Sequence, residues 1–113
     1  MGKGKRAYAK TMVTTAAGGR KDERGKMEWE WLWTFVGCLH FVADVIKYGA
    51  LKKYDRDNWK KVPPNKYINA AARHVAARGQ GELVDRESGL PVLAHAITDL
   101  LFVMWHDLNA KKK

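Results

Sequence analysis

The chain has 113 residues, of which 46% are apolar, which is enough for one domain with one modest core and argues against global disorder. Its net charge of +9 favours anionic partners such as nucleotide phosphates or nucleic acid. The single cysteine, Cys38, excludes an intramolecular disulfide and a cysteine-based zinc site. Since the sequence lacks both about 18 uninterrupted apolar residues and a signal-peptide pattern, we expect a cytoplasmic protein with no membrane partner.

The two ends of the chain are more basic than its middle. Residues 1–26 hold eight Lys and Arg residues and show neither an apolar period nor a strand signal, which predicts a mostly flexible basic arm. Residues 110–113 form a basic tail. Between them, residues 27–109 form the predicted helical domain.

The first two helices follow from apolar spacing and from helix-breaking residues. Apolar residues recur at helical spacing over residues 27–54, and Gly49 is expected to end or kink this helix. A loop follows. The second helix begins near Pro64, which is tolerated in a first turn, and runs to about Arg78. Gly79 is then placed to end the helix in a left-handed cap.

The third helix begins near Leu90–Pro91, with Ser88 as a candidate N-cap, and runs to about Asn109. Three helices with short links predict an all-α fold, a small bundle of about three helices. Because a core of this size is marginal, we expect oligomerisation to complete the bundle.

Polar side chains recur on helices that are otherwise apolar. His95 and Asp99 share one stripe of the third helix, Asp44 lies on one face of the first helix, and Arg73 with His74 lies on the second. Since a buried charge without a partner is costly, we expect these stripes to converge on a polar seam. Such a seam can hold a divalent metal, a triphosphate or both.

Several motifs resemble one known family. Three segments carry the resemblance: GGRKDERGKMEWEWL, KYGALKKYDRDNWKK and AARHVAARGQGELVDRESGLPVLAHAITDLLF. Together they resemble the dATP/dGTP diphosphohydrolase-like proteins that are common in phages. The resemblance covers roughly residues 15–107. It implies an all-α fold related to MazG-type nucleotide pyrophosphatases, and Mg²⁺-dependent cleavage of a purine deoxynucleoside triphosphate to monophosphate and pyrophosphate in the host cytoplasm.

The seam and the resemblance together give the candidate residues. The candidates for catalysis are Glu30, Asp44, His95 and Asp99. The candidates for nucleotide or phosphate binding are Arg20, Lys26, Lys52, Lys53, Tyr54, Asn58, Trp59, Asn69, Arg73 and His74. The candidates for holding Mg²⁺ are Glu30, Asp44, Glu82, Asp85, Glu87 and Asp99.

Departures from the family pattern leave other functions open. The pattern has an Asp where this chain has Asn69, an Asn where it has Asp99, and a Glu near His40. With fewer carboxylates, a relative could bind a purine nucleotide or a cyclic nucleotide without cleaving it and so sequester a signal of host defence. A small basic nucleic-acid-binding protein is a third possibility.

Overall fold

A computed structural model describes residues 12–22 and 24–110. The chain divides into two compact units, Met1–Phe35 and Val36–Lys113. Residues 1–11 of the predicted arm and residues 111–113 of the predicted tail lie outside the described residues. The predicted domain boundaries stay a prediction.

The first unit contains a short β-hairpin and a 3₁₀ helix. Strands β1 (Met12–Thr14) and β2 (Arg20–Asp22) pair antiparallel, with Thr14 opposite Arg20. The expectation of no strands is therefore wrong for this hairpin. The turn forms because Gly18 adopts a positive φ of 90°, which glycine does at little steric cost. The 3₁₀ helix spans Trp29–Phe35.

The second unit is helical and confirms the predicted all-α class. It contains α1 (Val36–Tyr48), α2 (Pro64–Gly79) and α3 (Val92–Ala110). The α-helical turns of α1 end where Gly49 was expected to end or kink them, and a π-helical segment, Gly49–Lys53, follows. A short 3₁₀ helix, Asn58–Lys61, lies in the loop before α2.

Helix α3 packs against both α1 and α2 and forms the centre of this unit. Val42 and Val45 of α1 cluster with Ala94 of α3, and Leu90 packs against them. Small buried residues such as Ala71 on α2 let the helices lie close together. The core is correspondingly small.

Two predicted helix caps are wrong. Gly79 stays within α2, and the glycine with positive φ is Gly81, at +93°. Ser88 does not cap α3, which begins at Val92. Instead, the Ser88 hydroxyl accepts the Leu90 N–H (3.1 Å) and pairs with a ring nitrogen of His95 (2.7 Å).

One helical stretch meets a membrane-span criterion. The helical stretch Trp29–Lys53, of 25 residues, contains an 18-residue window with a mean hydropathy of 1.3, so it is long and apolar enough to cross a membrane by length and composition alone. The core helix of a soluble protein and a signal sequence meet the same criterion. The absence of a membrane partner therefore stays a prediction.

Candidate functional site

A cavity of about 400 Å³ lies in the second unit. Parts of α1, the π-helical segment, α2, α3 and the loops before α2 and α3 form its wall. Its polar lining consists of Tyr48, Lys53, Tyr54, Asp55, Arg56, Asn58, Tyr67, Arg73, His74, Asp85, Glu87, His95, Thr98 and Asp99. This size is within the usual range for a small-molecule site.

Two histidines and an aspartate form the most buried ionisable group of the cavity. The rings of His74 and His95 stack with centroids 5.0 Å apart and planes 25° apart. The Nε2 atom of His74 lies 4.0 Å from Oδ2 of Asp99. The Asp99 side chain is only 14% exposed, so α2 and α3 bring these three predicted residues together.

Burial keeps this cluster largely uncharged. Desolvation lowers the pKa of His74 and of His95, although the carboxylate of Asp85 opposes the shift in both. Desolvation also raises the pKa of Asp99 to about 7, and the nearby Arg73 only partly offsets it. Near neutral pH, the Asp99 carboxyl group can therefore either donate or accept a proton.

One oxygen of Asp99 makes no hydrogen bond with the residues that the structure describes. Among the residues that the structure describes, the buried Oδ2 atom has no hydrogen-bond partner. Buried polar atoms are nearly always hydrogen-bonded, and an exception in a cavity is typical of a functional site. A ligand N–H or O–H group entering the cavity would satisfy this oxygen.

A second cluster joins the π-helical segment to the loop before α3. The Lys53 ammonium lies 3.0 Å from Glu87, and the Tyr48 hydroxyl donates to the same carboxylate at 3.1 Å. The hydrogen bonds from Lys53 and Tyr48 lower the pKa of Glu87, and the bond to Glu87 raises the pKa of Lys53. An anionic ligand would compete with Glu87 for Lys53.

Hydrogen bonds fix the loop that carries Asp85 and Glu87. The Oδ2 atom of Asp85 accepts the backbone N–H groups of Glu87 (3.1 Å) and Ser88 (2.9 Å). Burial alone would raise the pKa of Asp85, but the bonds from Ser88 and the nearby His95 lower it overall. Gly89 donates its N–H to the Asp85 carbonyl at 2.8 Å. Asp85 therefore orders the loop that carries the family-like Asp-Arg-Glu-Ser-Gly motif.

Aromatic side chains line another part of the wall. The ring of Trp59 stacks on Phe102 with centroids 4.6 Å apart and planes 7° apart, and its edge contacts Trp105. Phe102 thus covers one face of the Trp59 ring. Tyr54 is 56% exposed and has the freer ring, so it is the better candidate for stacking on a base.

The predicted residues divide into those that line the cavity and those that do not. The structure brings ten of them to the cavity wall: Lys53, Tyr54, Asn58, Trp59, Arg73, His74, Asp85, Glu87, His95 and Asp99. Lys52, Asn69, Glu82 and Asp44 are in the same unit but do not line it, and Asp44 instead lies 3.7 Å from His40. Arg20, Lys26 and Glu30 belong to the first unit, where Lys26 and Glu30 line a separate cavity of about 330 Å³.

Sequence reasoning missed several lining residues. Tyr48, Tyr67 and Thr98 contribute to the wall, and Arg56 adds a cation from the loop before α2. Arg56 could have been predicted, since this residue lies within the family-like segment KYGALKKYDRDNWKK. Tyr67 and Thr98 gave none, because both have helical spacing typical of core residues.

The residues present do not fit a resident divalent metal. Within residues 12–22 and 24–110, no group of three or more His, Cys, Asp or Glu side chains is arranged to hold a metal ion. Asp85 and Glu87 already have hydrogen-bonding partners. Of the cavity carboxylates, Asp99 alone has a buried oxygen atom without a partner among these residues. Among the described residues the predicted Mg²⁺ ligands are therefore not gathered into one metal-holding group, and Mg²⁺ binding stays a prediction.

Comparison with known proteins gives a family and one curated relative. The family model described as dATP/dGTP diphosphohydrolase, N-terminal, matches residues 16–113. A dATP/dGTP diphosphohydrolase of Salmonella phage PMBT28 is 36% identical to this chain over 64 residues, which are 57% of this chain and 22% of the relative. The match thus spans about a fifth of the relative's length. No solved structure matches.

Proposed function

Because this chain belongs to the family of dATP/dGTP diphosphohydrolase N-terminal domains, we propose that its cavity binds a purine deoxynucleoside triphosphate. The proposal takes the nucleotide class from the description of the family and from the name of the phage relative. Its physical support comes from the cations, the hydrogen-bonding groups and the exposed aromatic ring that line one cavity.

The observation that carries the proposal is a pair of guanidinium groups on the cavity wall. Arg56 and Arg73 both line the cavity, and neither makes an ion pair or a side-chain hydrogen bond with another described residue. An arginine presents a planar set of N–H donors that matches phosphate oxygens in pairs. Two such groups in one cavity suit a ligand that carries several phosphates.

Other lining residues supply the remaining interactions. Lys53 would exchange its bond to Glu87 for one to a phosphate oxygen, and the exposed ring of Tyr54 would stack on the base. Asp99 would accept a hydrogen bond from the ligand at its buried Oδ2 atom, which has no hydrogen-bond partner among the described residues. Lys53 can exchange one ion pair for another, the Tyr54 ring is exposed, and Asp99 Oδ2 can accept a hydrogen bond that no described residue donates.

Binding of dATP and dGTP to the purified chain tests the proposal. Calorimetry should detect binding with and without Mg²⁺, and Arg73→Met should weaken it at least about tenfold, since a hydrogen bond to a charged group contributes about 1.5–3 kcal/mol. Arg78→Met is the matched control, because Arg78 lies in the last turn of the same helix and does not line the cavity. Equal losses in the two variants, or no binding by the parent protein, would contradict the assignment.

A specific observation favours binding without turnover as a second candidate function. The carboxylates of Asp85 and Glu87 are engaged, and the described residues form no metal-holding group. Chromatography of the same mixtures distinguishes the two functions. Monophosphate and pyrophosphate would identify a diphosphohydrolase, whereas intact nucleotide recovered after heat release would identify a sequestering protein.

A further inference from the structure

The buried Oδ2 atom of Asp99 restricts which part of a nucleotide can lie beside it. Asp99 lines the cavity, its side chain is only 14% exposed, and Oδ2 has no hydrogen-bond partner among the described residues. A ligand group that fills this part of the cavity is favoured when its own donors and acceptors match those of the carboxyl group. A triphosphate carries several negative charges, which a buried carboxylate repels. The groups that fit beside Asp99 are therefore the base and the sugar.

The surroundings of Asp99 suit a flat base better than a sugar. The Nε2 atom of His74 lies 4.0 Å from Oδ2 of Asp99, and the His74 ring stacks on His95 with centroids 5.0 Å apart. The Tyr54 ring, 56% exposed, lines the same cavity. Aromatic rings stack favourably on the face of any base, so stacking does not distinguish one purine from another. Discrimination between purines therefore depends on hydrogen bonds to the edge of the base.

We infer that Asp99 selects the purine by contacting the Watson–Crick edge of the base, with its neutral carboxyl group suited to adenine and its carboxylate suited to guanine. This inference rests on the proposed function, because it assumes that the cavity holds a purine nucleotide. Adenine presents an amino donor beside the N1 acceptor, which a neutral carboxyl group matches with one acceptor and one O–H donor. Guanine presents two adjacent donors, N1–H and the 2-amino group, which a carboxylate matches with two acceptors. A carboxylate that faces adenine instead meets the lone pair of N1 and loses one of the two bonds.

Asp99 is present in both forms near neutral pH. Burial raises its pKa to about 7, and the cation of Arg73 on α2 opposes this shift. Burial also lowers the pKa of His74 on α2 and of His95 on α3, although Asp85 in the loop before α3 opposes both shifts. The two imidazoles therefore change charge at a lower pH than Asp99 does.

The other elements around the cavity contribute groups that keep their charge near neutral pH. Burial raises the pKa of the Tyr48 hydroxyl on α1 and of the Tyr67 hydroxyl on α2, so both stay neutral. The hydrogen bond to Glu87 raises the pKa of the Lys53 ammonium in the π-helical segment, so it stays protonated. Charged side chains also line the cavity from the loops before α2 and α3, namely Asp55, Arg56 and Glu87. A change of base preference near pH 7 is therefore expected to follow the titration of Asp99.

Calorimetry with dATP and dGTP at about pH 6 and about pH 8 tests the inference. The ratio of the dATP to the dGTP dissociation constant should rise at least about fivefold, because the neutral fraction of a group with a pKa of about 7 falls about tenfold over this range. Titration of the triphosphate cancels in the ratio, since both nucleotides carry it. Asp99→Asn keeps one donor and one acceptor at every pH, so its ratio should not change. Asp107→Asn is the control and should behave as the parent protein, because Asp107 is exposed on the same helix and does not line the cavity.

Binding of dITP tests the contact in the parent protein, without any substitution. Its base, hypoxanthine, keeps N1–H but lacks the 2-amino group of guanine. At about pH 8 the protein should bind dITP at least about threefold more weakly than dGTP, because the carboxylate loses one of its two donors. This comparison decides the question if Asp99→Asn fails to fold. Equal affinities for dITP and dGTP would overturn the inference.

The outcomes separate this inference from the proposed function. If neither dATP nor dGTP binds at either pH, the proposed function fails and the inference fails with it. If both nucleotides bind with a ratio that does not change with pH, the proposed function stands and the inference is overturned, and Asp99 then contacts the sugar or no part of the ligand. A change of the ratio that persists in Asp99→Asn would also overturn the inference, because another group would then cause it.

Discussion

Replacing Asp99 by Asn should change how the stability of the protein depends on pH. The pKa of Asp99 is raised from 3.8 to about 7 in the folded state because burial disfavours the carboxylate. This group therefore stabilises the folded state fully below about pH 4, and the contribution is lost as the pH rises towards 7. Within that window, each pH unit removes about 1.4 kcal/mol from the free energy of unfolding. Between about pH 5 and about pH 8.5 the loss reaches at most about 3 kcal/mol.

Urea denaturation of both proteins at several pH values measures this loss. An asparagine side chain cannot titrate, so the stability of Asp99→Asn relative to the parent protein should rise with pH across the window. His74 and His95, whose pKa values are lowered, add stability as the pH rises, but they are present in both proteins and largely cancel in the difference. The control is Asp107→Asn, which changes an exposed residue of the same helix. A stability difference that does not change with pH would refute the reasoning.

Four further substitutions test other parts of the structure. Gly89→Ala should lower the free energy of unfolding by about 1–2 kcal/mol, because Gly89 has a φ of +76°. Gly37→Ala in α1 should raise it by about 0.5–1 kcal/mol, because a methyl group there meets open space. Urea titrations of the two variants measure both changes. Glu87→Gln should strengthen dATP binding several-fold in calorimetry by freeing Lys53, and weaker binding would instead favour a ligand role for Glu87. Thr98→Val should cost about 1 kcal/mol in a urea titration, since it removes the buried 2.8 Å bond from the Thr98 hydroxyl to a backbone carbonyl, and an unchanged midpoint would contradict this.

The helices could be predicted where local chemistry alone decides them. Helix α2 begins at Pro64 as expected, because proline lacks the N–H that a first-turn residue leaves unpaired in any case. The change at Gly49 was also predictable from its low helix propensity. The same pattern could not distinguish 3₁₀ from α-helical turns before Val36, since both keep apolar residues three positions apart.

The two wrong caps have different physical reasons. Gly79 stays in α2 because the left-handed turn forms two residues later, at Gly81, whose N–H donates to the Arg78 carbonyl at 2.9 Å. Ser88 bonds to His95, a partner seven positions away that becomes available only when α3 folds back over the loop. The hairpin was missed because its strands have three residues each, too few to show a period.

The site could be predicted in its members but not in its arrangement. Asp99 could be predicted as a site residue because a carboxylate buried within an apolar helix is costly unless it has a partner. The contact between Asp99 and His74 could not be predicted from the sequence, because it depends on how α2 and α3 rotate against each other. Asp44 was also a candidate on sequence grounds. In the structure it lies beside His40 on α1, away from the cavity wall.

The two faces of helix α3 have different surroundings. One face carries His95 and Asp99 into the cavity, and the other carries Leu100 and Met104 to the surface. The exposed face carries apolar side chains, whereas the cavity face holds a buried carboxyl group whose pKa is raised to about 7. This division explains why α3 looks apolar nearly all round in the sequence.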